Sequence, residues 1–116
     1  MKNIILDGIE YTPVTKETQI INMQYHFELS LEKPHKKLTW KEAVAYVNSL
    51  GDGWRLPTIE ECFMIYHNKL IDKGYYWSST EFFSNVYVFN FKYGKVFDND
   101  KEFDYYVCAV RDIKSE

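Results

Sequence analysis

No stretch of this sequence is apolar for long enough to cross a bilayer, and the run Ile4-Ile5-Leu6 is far too short for a signal peptide. A cytoplasmic location is therefore expected, or delivery by something other than a leader of its own. Basic charge is also short: 14 Lys and Arg against 17 Asp and Glu leave a net charge of −3. That balance argues against nucleic acid and against an anionic membrane as partners. The only basic cluster, Lys33, Lys36 and Lys37, reads as a solvated loop. Cysteine is limited to Cys62 and Cys108, which fit reduced core thiols, with a disulfide between them as the alternative under oxidising conditions. His26, His35 and His67 lie far apart without metal-ligand spacing, so neither a metal nor any other cofactor is expected. Internal repeats and low-complexity linkers are missing too, and residues 1–116 read as one domain.

Aromatic residues are plentiful. Ten Tyr, eight Phe and three Trp make up 18% of the chain, more than a core of this size can enclose, so part of the set belongs at the surface. Tyrosine there offers large contact area at low entropic cost. The pattern along the chain predicts an α+β domain. Asp7-Gly8 between Ile4-Ile5-Leu6 and Ile9-Glu10-Tyr11 predicts a two-residue hairpin. Tyr25 to Leu31 alternates as a half-buried strand does. Thr39-Trp40-Lys41-Glu42 and Thr58-Ile59-Glu60-Glu61 are capping boxes that open two helices. The first should end at Gly51 in the left-handed conformation and the second near Asn68. Tyr87 to Phe91 predicts a strand, Tyr93-Gly94 a turn, Lys95-Val96-Phe97 its return, Asp98 to Lys101 a polar loop, and Tyr105 to Arg111 a closing strand.

The strings Thr39-Trp40 with Glu42-Ala43, Gly53-Trp54-Arg55-Leu56-Pro57-Thr58 with Glu61, Tyr76-Trp77-Ser78-Ser79-Thr80-Glu81, and Val110-Arg111 occur in one order. In that order they resemble the bacterial and phage family typified by the C-terminal domain of the collagen-like adhesin Lcl, over about Leu38 to Arg111. The resemblance implies a C-type lectin-like fold, two helices packed on a small twisted antiparallel sheet, related to that of the formylglycine-generating enzyme. It also implies a loop-rich binding face. Trp54 and Trp77 are expected as core anchors, Trp40 as a brace for the first helix, and Arg55 and Arg111 as donors to carbonyls or to a carboxylate such as Glu61. Ser78, Ser79 and Thr80 are expected to satisfy turn backbone groups.

Catalytic chemistry finds little support. Cys62 falls on an apolar helix face and Cys108 in an apolar strand, whereas a cysteine nucleophile needs a base and an orienting group beside it. The reactive cysteine pair of formylglycine-generating enzymes has no counterpart. Asp98, Asp100 and Glu102 space like part of an ion loop, but an EF-hand needs Gly and Glu where Phe103 and Ala109 stand. The sugar-binding lectin motifs Glu-Pro-Asn, Gln-Pro-Asp and Trp-Asn-Asp are missing as well. What remains is an aromatic and acidic display: Phe83, Ser84, Asn85, Tyr87, Tyr93, Lys95, Phe97, Asp98, Asn99, Asp100, Phe103 and Asp104 are the candidate ligand-binding residues. The expected function is a non-catalytic module that binds another protein, and the family resemblance implies a phage-encoded inhibitor of a host or defence factor as one form of it. A carbohydrate-binding adhesin tip, self-assembling into an oligomer, stays open as the second reading, and an enzyme on the formylglycine-generating scaffold as the third.

Overall fold

A computed structural model describes residues 4–6, 9–11, 27–30 and 32–113. Strands β1 (Ile4–Leu6) and β2 (Ile9–Tyr11) pair antiparallel with Leu6 opposite Ile9, while the expected turn at Asp7-Gly8 lies outside the described residues. Strand β3 (Phe27–Leu29) pairs antiparallel with the last strand, β7 (Val110–Asp112). Between them run helix α1 (Trp40–Ser49), helix α2 (Ile59–His67) and an antiparallel meander of β4 (Tyr75–Phe82), β5 (Asn85–Asn90) and β6 (Lys95–Asn99). The class is α+β, as the sequence predicts. The antiparallel pairing is divided among three separate ladders rather than gathered in one small sheet. Tyr25, His26 and Leu31, expected in the same strand as Phe27, lie outside the described residues.

Both helices begin where the capping boxes place them. Thr39 Oγ1 accepts from the Glu42 amide at 3.3 Å, and Glu42 Oε1 accepts from the Thr39 amide at 3.0 Å. Thr58 and Glu61 repeat the exchange at 3.2 and 2.9 Å. Each pair satisfies two of the orphan amide donors at a helix start. Gly51 follows α1 at φ +67°, the left-handed turn that a side chain resists.

The β4–β6 sheet buries both of its faces. Register pairs Trp77 with Val88, and Tyr76 with Phe89, and side chains directly opposite one another share a face. Trp77, Val86 and Val88 pack with Ala43 and Val47 of α1, and with Leu56, Val107 and Ala109. Tyr76, Phe89 and Phe91 pack on the other side with Cys62 and Ile65 of α2, and with Phe27, Cys108 and Val110. A central strand enclosed on two sides reads as a continuous apolar run, which is why Val86 to Phe91 holds so few polar residues. The Trp77 indole, fully buried, donates to the Leu38 carbonyl at 2.8 Å, and the Trp40 indole donates to the Ser78 carbonyl at 3.0 Å. The expected brace between α1 and the sheet is this second bond.

Several sequence expectations need correction. Trp54 is only half-buried and lies 4.5 Å from the Arg111 guanidinium, so it stacks at the rim instead of anchoring the core. Ser78, Ser79 and Thr80 sit in β4 where its register shifts between Trp77 and Glu81. Ser78 Oγ donates to the Tyr87 carbonyl at 2.7 Å, and Thr80 Oγ1 accepts from the Ile59 amide at 3.1 Å, so β4 helps cap α2. Asp98 and Asn99 belong to β6, not to a loop. The closing strand is confined to Val110–Asp112, because residues 105–109 are shared among partners: Leu38 pairs with Tyr105, and Tyr76 with Tyr106.

Candidate functional site

The twelve candidate residues occupy the β4–β6 meander and the loop after it, and β-strand geometry distributes them over two faces. At one end, the β4–β5 hairpin turns through Phe83 and Ser84, with Phe82 opposite Asn85. Phe83 is 90% exposed and holds φ +55°. A bulky side chain there is strained by about 1 kcal/mol or more, and such strain tends to collect at functional positions. The Phe82 ring lies 4.7 Å from that of Phe83 and 5.4 Å from that of Tyr87. Tyr87 stands opposite Asp98, whose Oδ2 accepts from Asn85 Nδ2 at 2.8 Å. Phe83, Ser84, Asn85, Tyr87 and Asp98 therefore form one aromatic tip with a carboxylate at its border.

Lys95, Phe97 and Asn99 alternate onto the opposite face of β6. Phe97 meets Tyr75 at 5.7 Å and Tyr105 at 6.0 Å, with Tyr75 and Tyr105 6.3 Å apart. These rings, with Asn90, Lys95 and Val96, line a groove of about 380 Å³. Asn99 Nδ2 donates to Tyr105 Oη at 2.6 Å and fixes the third ring. Tyr93 stands at the β5–β6 turn, 61% exposed, with Lys92 Nζ 5.3 Å from its ring. The six residues of β5 separate it from the hairpin tip by about 20 Å at 3.4 Å per residue, so the candidates form a strip and not a single spot.

Asp100, Phe103 and Asp104 lie on the loop that joins β6 to Tyr105. The Asp100 carboxylate accepts from the Glu102 amide at 2.8 Å, and its carbonyl accepts from the Phe103 amide at 3.2 Å. The loop is tied to the start of α1 by Trp40 N–H to Lys101 O at 3.0 Å and by paired bonds between Leu38 and Tyr105 at 2.8 and 3.0 Å. Lys101 also pairs with Glu81 at 3.0 Å and lies 4.8 Å from the Trp40 ring. Phe103, 55% exposed, is thus held out to solvent by a braced loop. Of the expected acidic triplet, Asp98 serves the strand and Asp100 its own turn. Among the described residues, no group of three or more His, Cys, Asp or Glu is arranged to hold a metal ion.

Sequence reasoning missed Tyr75 and Tyr105 of the groove. Tyr75 follows Gly74 at the edge of a motif read as framework, and Tyr105 was expected to lie inside the closing strand. Lys33, Lys36 and Lys37 are exposed on a loop, as expected, and Lys33 and Lys37 lie 5.2 and 5.1 Å from the rings of Tyr76 and Tyr106.

The framework arginines behave as expected. Arg55 donates to both Glu61 oxygens at 2.7 and 2.8 Å and to Asp112 at 2.7 Å; hydrogen bonding to Glu61 above all, then to Asp112, holds its guanidinium protonated more firmly than usual. Arg111 pairs with Glu28 across the β3–β7 ladder. Cys62 and Cys108 are unbridged and buried. Burial pushes the Cys62 thiol well up and that of Cys108 up to about 12, so both stay protonated at neutral pH. Among the described residues, no helix is long and apolar enough to cross a membrane.

Comparison with curated proteins gave no match. The sequence model of the Lcl C-terminal domain matches residues 15–111, so the family pattern extends well ahead of Leu38, where its recognisable motifs begin. The chain therefore belongs to the Lcl C-terminal domain family.

Proposed function

We propose that the chain is a non-catalytic module, of C-type lectin-like fold, that binds another protein through the aromatic and acidic residues of β4, β5, β6 and the 100–104 loop. The observation that carries this reading is the distribution of exposed large apolar side chains. Tyr75, Phe82, Phe83, Tyr93, Phe97, Phe103 and Tyr106 all fall between residues 75 and 106, and among residues 27–30 and 32–113 Ile113 is the only other one. Rings that a rigid sheet and a tied loop hold in water cost little entropy on binding, and aromatic anchors with a polar border are what hot spots are made of. The test is a quantitative pull-down from host lysate with wild type, Phe83→Ala, and Phe97→Ala/Phe103→Ala, each confirmed folded. A partner retained by wild type and depleted at least tenfold by one of the variants supports the reading. Equal capture by all three removes it.

The groove favours a second reading. Tyr75, Phe97 and Tyr105 surround a space with Asn90 and Lys95 at its edge, a form suited to stacking a neutral sugar ring. A neutral glycan that raises the melting temperature of wild type, but not of Phe97→Ala, would support it.

A further inference from the structure

The opposite face of β4 carries a cleft of different chemistry. Tyr75 points to the aromatic groove, and its neighbour Tyr76 to the other side, where loops 32–37 and 70–74 approach each other. The cleft there, about 460 Å³, is lined by Lys33, Leu70, Asp72, Lys73, Tyr76 and Tyr106, among others. That is within the range of about 300–1,000 Å³ typical of small-molecule sites. Lys33 Nζ donates to Tyr76 Oη at 3.1 Å. Lys37 stands over Tyr106, and the Tyr76 and Tyr106 rings are 5.6 Å apart.

The charges around this cleft are unbalanced. Among the described residues, the ion pairs take Arg55, Lys101 and Arg111, and none takes Lys33, Lys37 or Lys73. Asp72 is the one carboxylate on the lining. An ammonium has three donors, and Lys33 spends one on Tyr76. Tyr76 is 7% exposed, and its hydroxyl accepts from Lys33 while its own proton meets no acceptor among the described residues. A tyrosine hydroxyl that already accepts from Lys33 at the cleft, beside ammonium groups that enter no ion pair among the described residues, is an arrangement for an incoming oxyanion.

We propose that this cleft binds a small organic anion, whose oxyanion head is taken by Lys33 and the Tyr76 hydroxyl, with Lys73 on the same lining, and whose apolar body rests on Leu70 and the exposed edge of Tyr106. The site shares Tyr106 with the exposed aromatic set but otherwise uses residues outside the protein-binding strip, and it is tested with those other residues. The experiment is a titration of the whole chain with phenyl phosphate, benzoate and inorganic phosphate, followed by amide and tyrosine-ring NMR. Phenyl phosphate should shift Lys73, Gly74 and Tyr76 signals saturably at millimolar concentration. Benzoate should bind less tightly for its single charge, and inorganic phosphate less tightly for want of the ring. Lys33→Gln should weaken phenyl phosphate at least tenfold, and Tyr76→Phe, which keeps the ring, severalfold. Lys95→Gln, on the aromatic groove, should change nothing. Absence of saturable shifts at the cleft, or wild-type affinity in Lys33→Gln, overturns the site. Equal affinity for inorganic phosphate and phenyl phosphate overturns the seat for the apolar body.

Discussion

The Arg55–Glu61 pair shows how much of this framework depends on single side chains. Glu61 is 4% exposed and serves two elements: it completes the α2 capping box and accepts both arms of Arg55, which also reaches Asp112 next to β3. Arg55→Met would leave the carboxylate buried without its cation, at a cost of about 2–3 kcal/mol, somewhat below that of breaking a fully buried pair because Arg55 is partly exposed. Urea unfolding measures it, and a loss under about 0.5 kcal/mol would mean that the pair behaves as a solvated one. The six-residue spacing made Glu61 legible as a partner in the sequence. Asp112 was not, since its approach depends on the pairing of β3 with β7.

The thiols yield a pH prediction. Both are held above the ordinary value of 9.0. The stability that they contribute as neutral groups is therefore complete below pH 9 and is lost as pH rises through the folded values, about 12 for Cys108. At pH 8, iodoacetamide should leave the native protein unmodified over the time in which it alkylates both cysteines in urea. Rapid native alkylation at Cys62 would contradict this account of its burial.

Local signals decided which elements could be anticipated. Capping boxes, the β1–β2 pairing and the Tyr93-Gly94 turn each rest on signals within a few consecutive residues, and each falls where the sequence places it. The Val107-Cys108-Ala109 run did not, because an apolar stretch buried on all sides looks the same whether it pairs as a strand or runs between partners. Which face of the sheet Tyr87 and Phe97 occupy was also hidden, since it follows from the β5–β6 register and from the shift between Trp77 and Glu81.

At this scale two turns can be tested. A Cβ on Gly94, which holds φ +66°, would lie 2.5 Å from the Tyr66 ring, whereas at Gly51 it meets open space. Gly51→Ala should cost about 1 kcal/mol for its positive φ alone, and Gly94→Ala clearly more, as melting temperatures will show. The strained hairpin tip makes the opposite prediction. Phe83→Gly should stabilise the fold by about 1 kcal/mol by relieving its positive φ while weakening partner capture. Gain of stability without loss of capture would remove Phe83 from the binding surface.

For the whole molecule, the central feature is a meander sheet enclosed on both faces near its middle and left aromatic at its ends and along its outer strand. α1 and α2 cover the Trp77 side and the Phe89 side, and the stretches they leave bare carry Phe82, Phe83, Tyr75 and Phe97. Two chemically distinct surfaces result, an aromatic and acidic strip and the lysine–tyrosine cleft. The composition already called for surface aromatics, but only the three-dimensional arrangement separates those that stack in the core from those that face water.

The most direct test of the central claim is hydrogen–deuterium exchange on the purified complex with the captured protein partner, read against the free chain. The account predicts added protection in residues 82–87 and 95–104, with α1 and loop 32–37 unchanged. Protection confined to α1 or to loop 32–37, with the strip exchanging as freely as before, would contradict it.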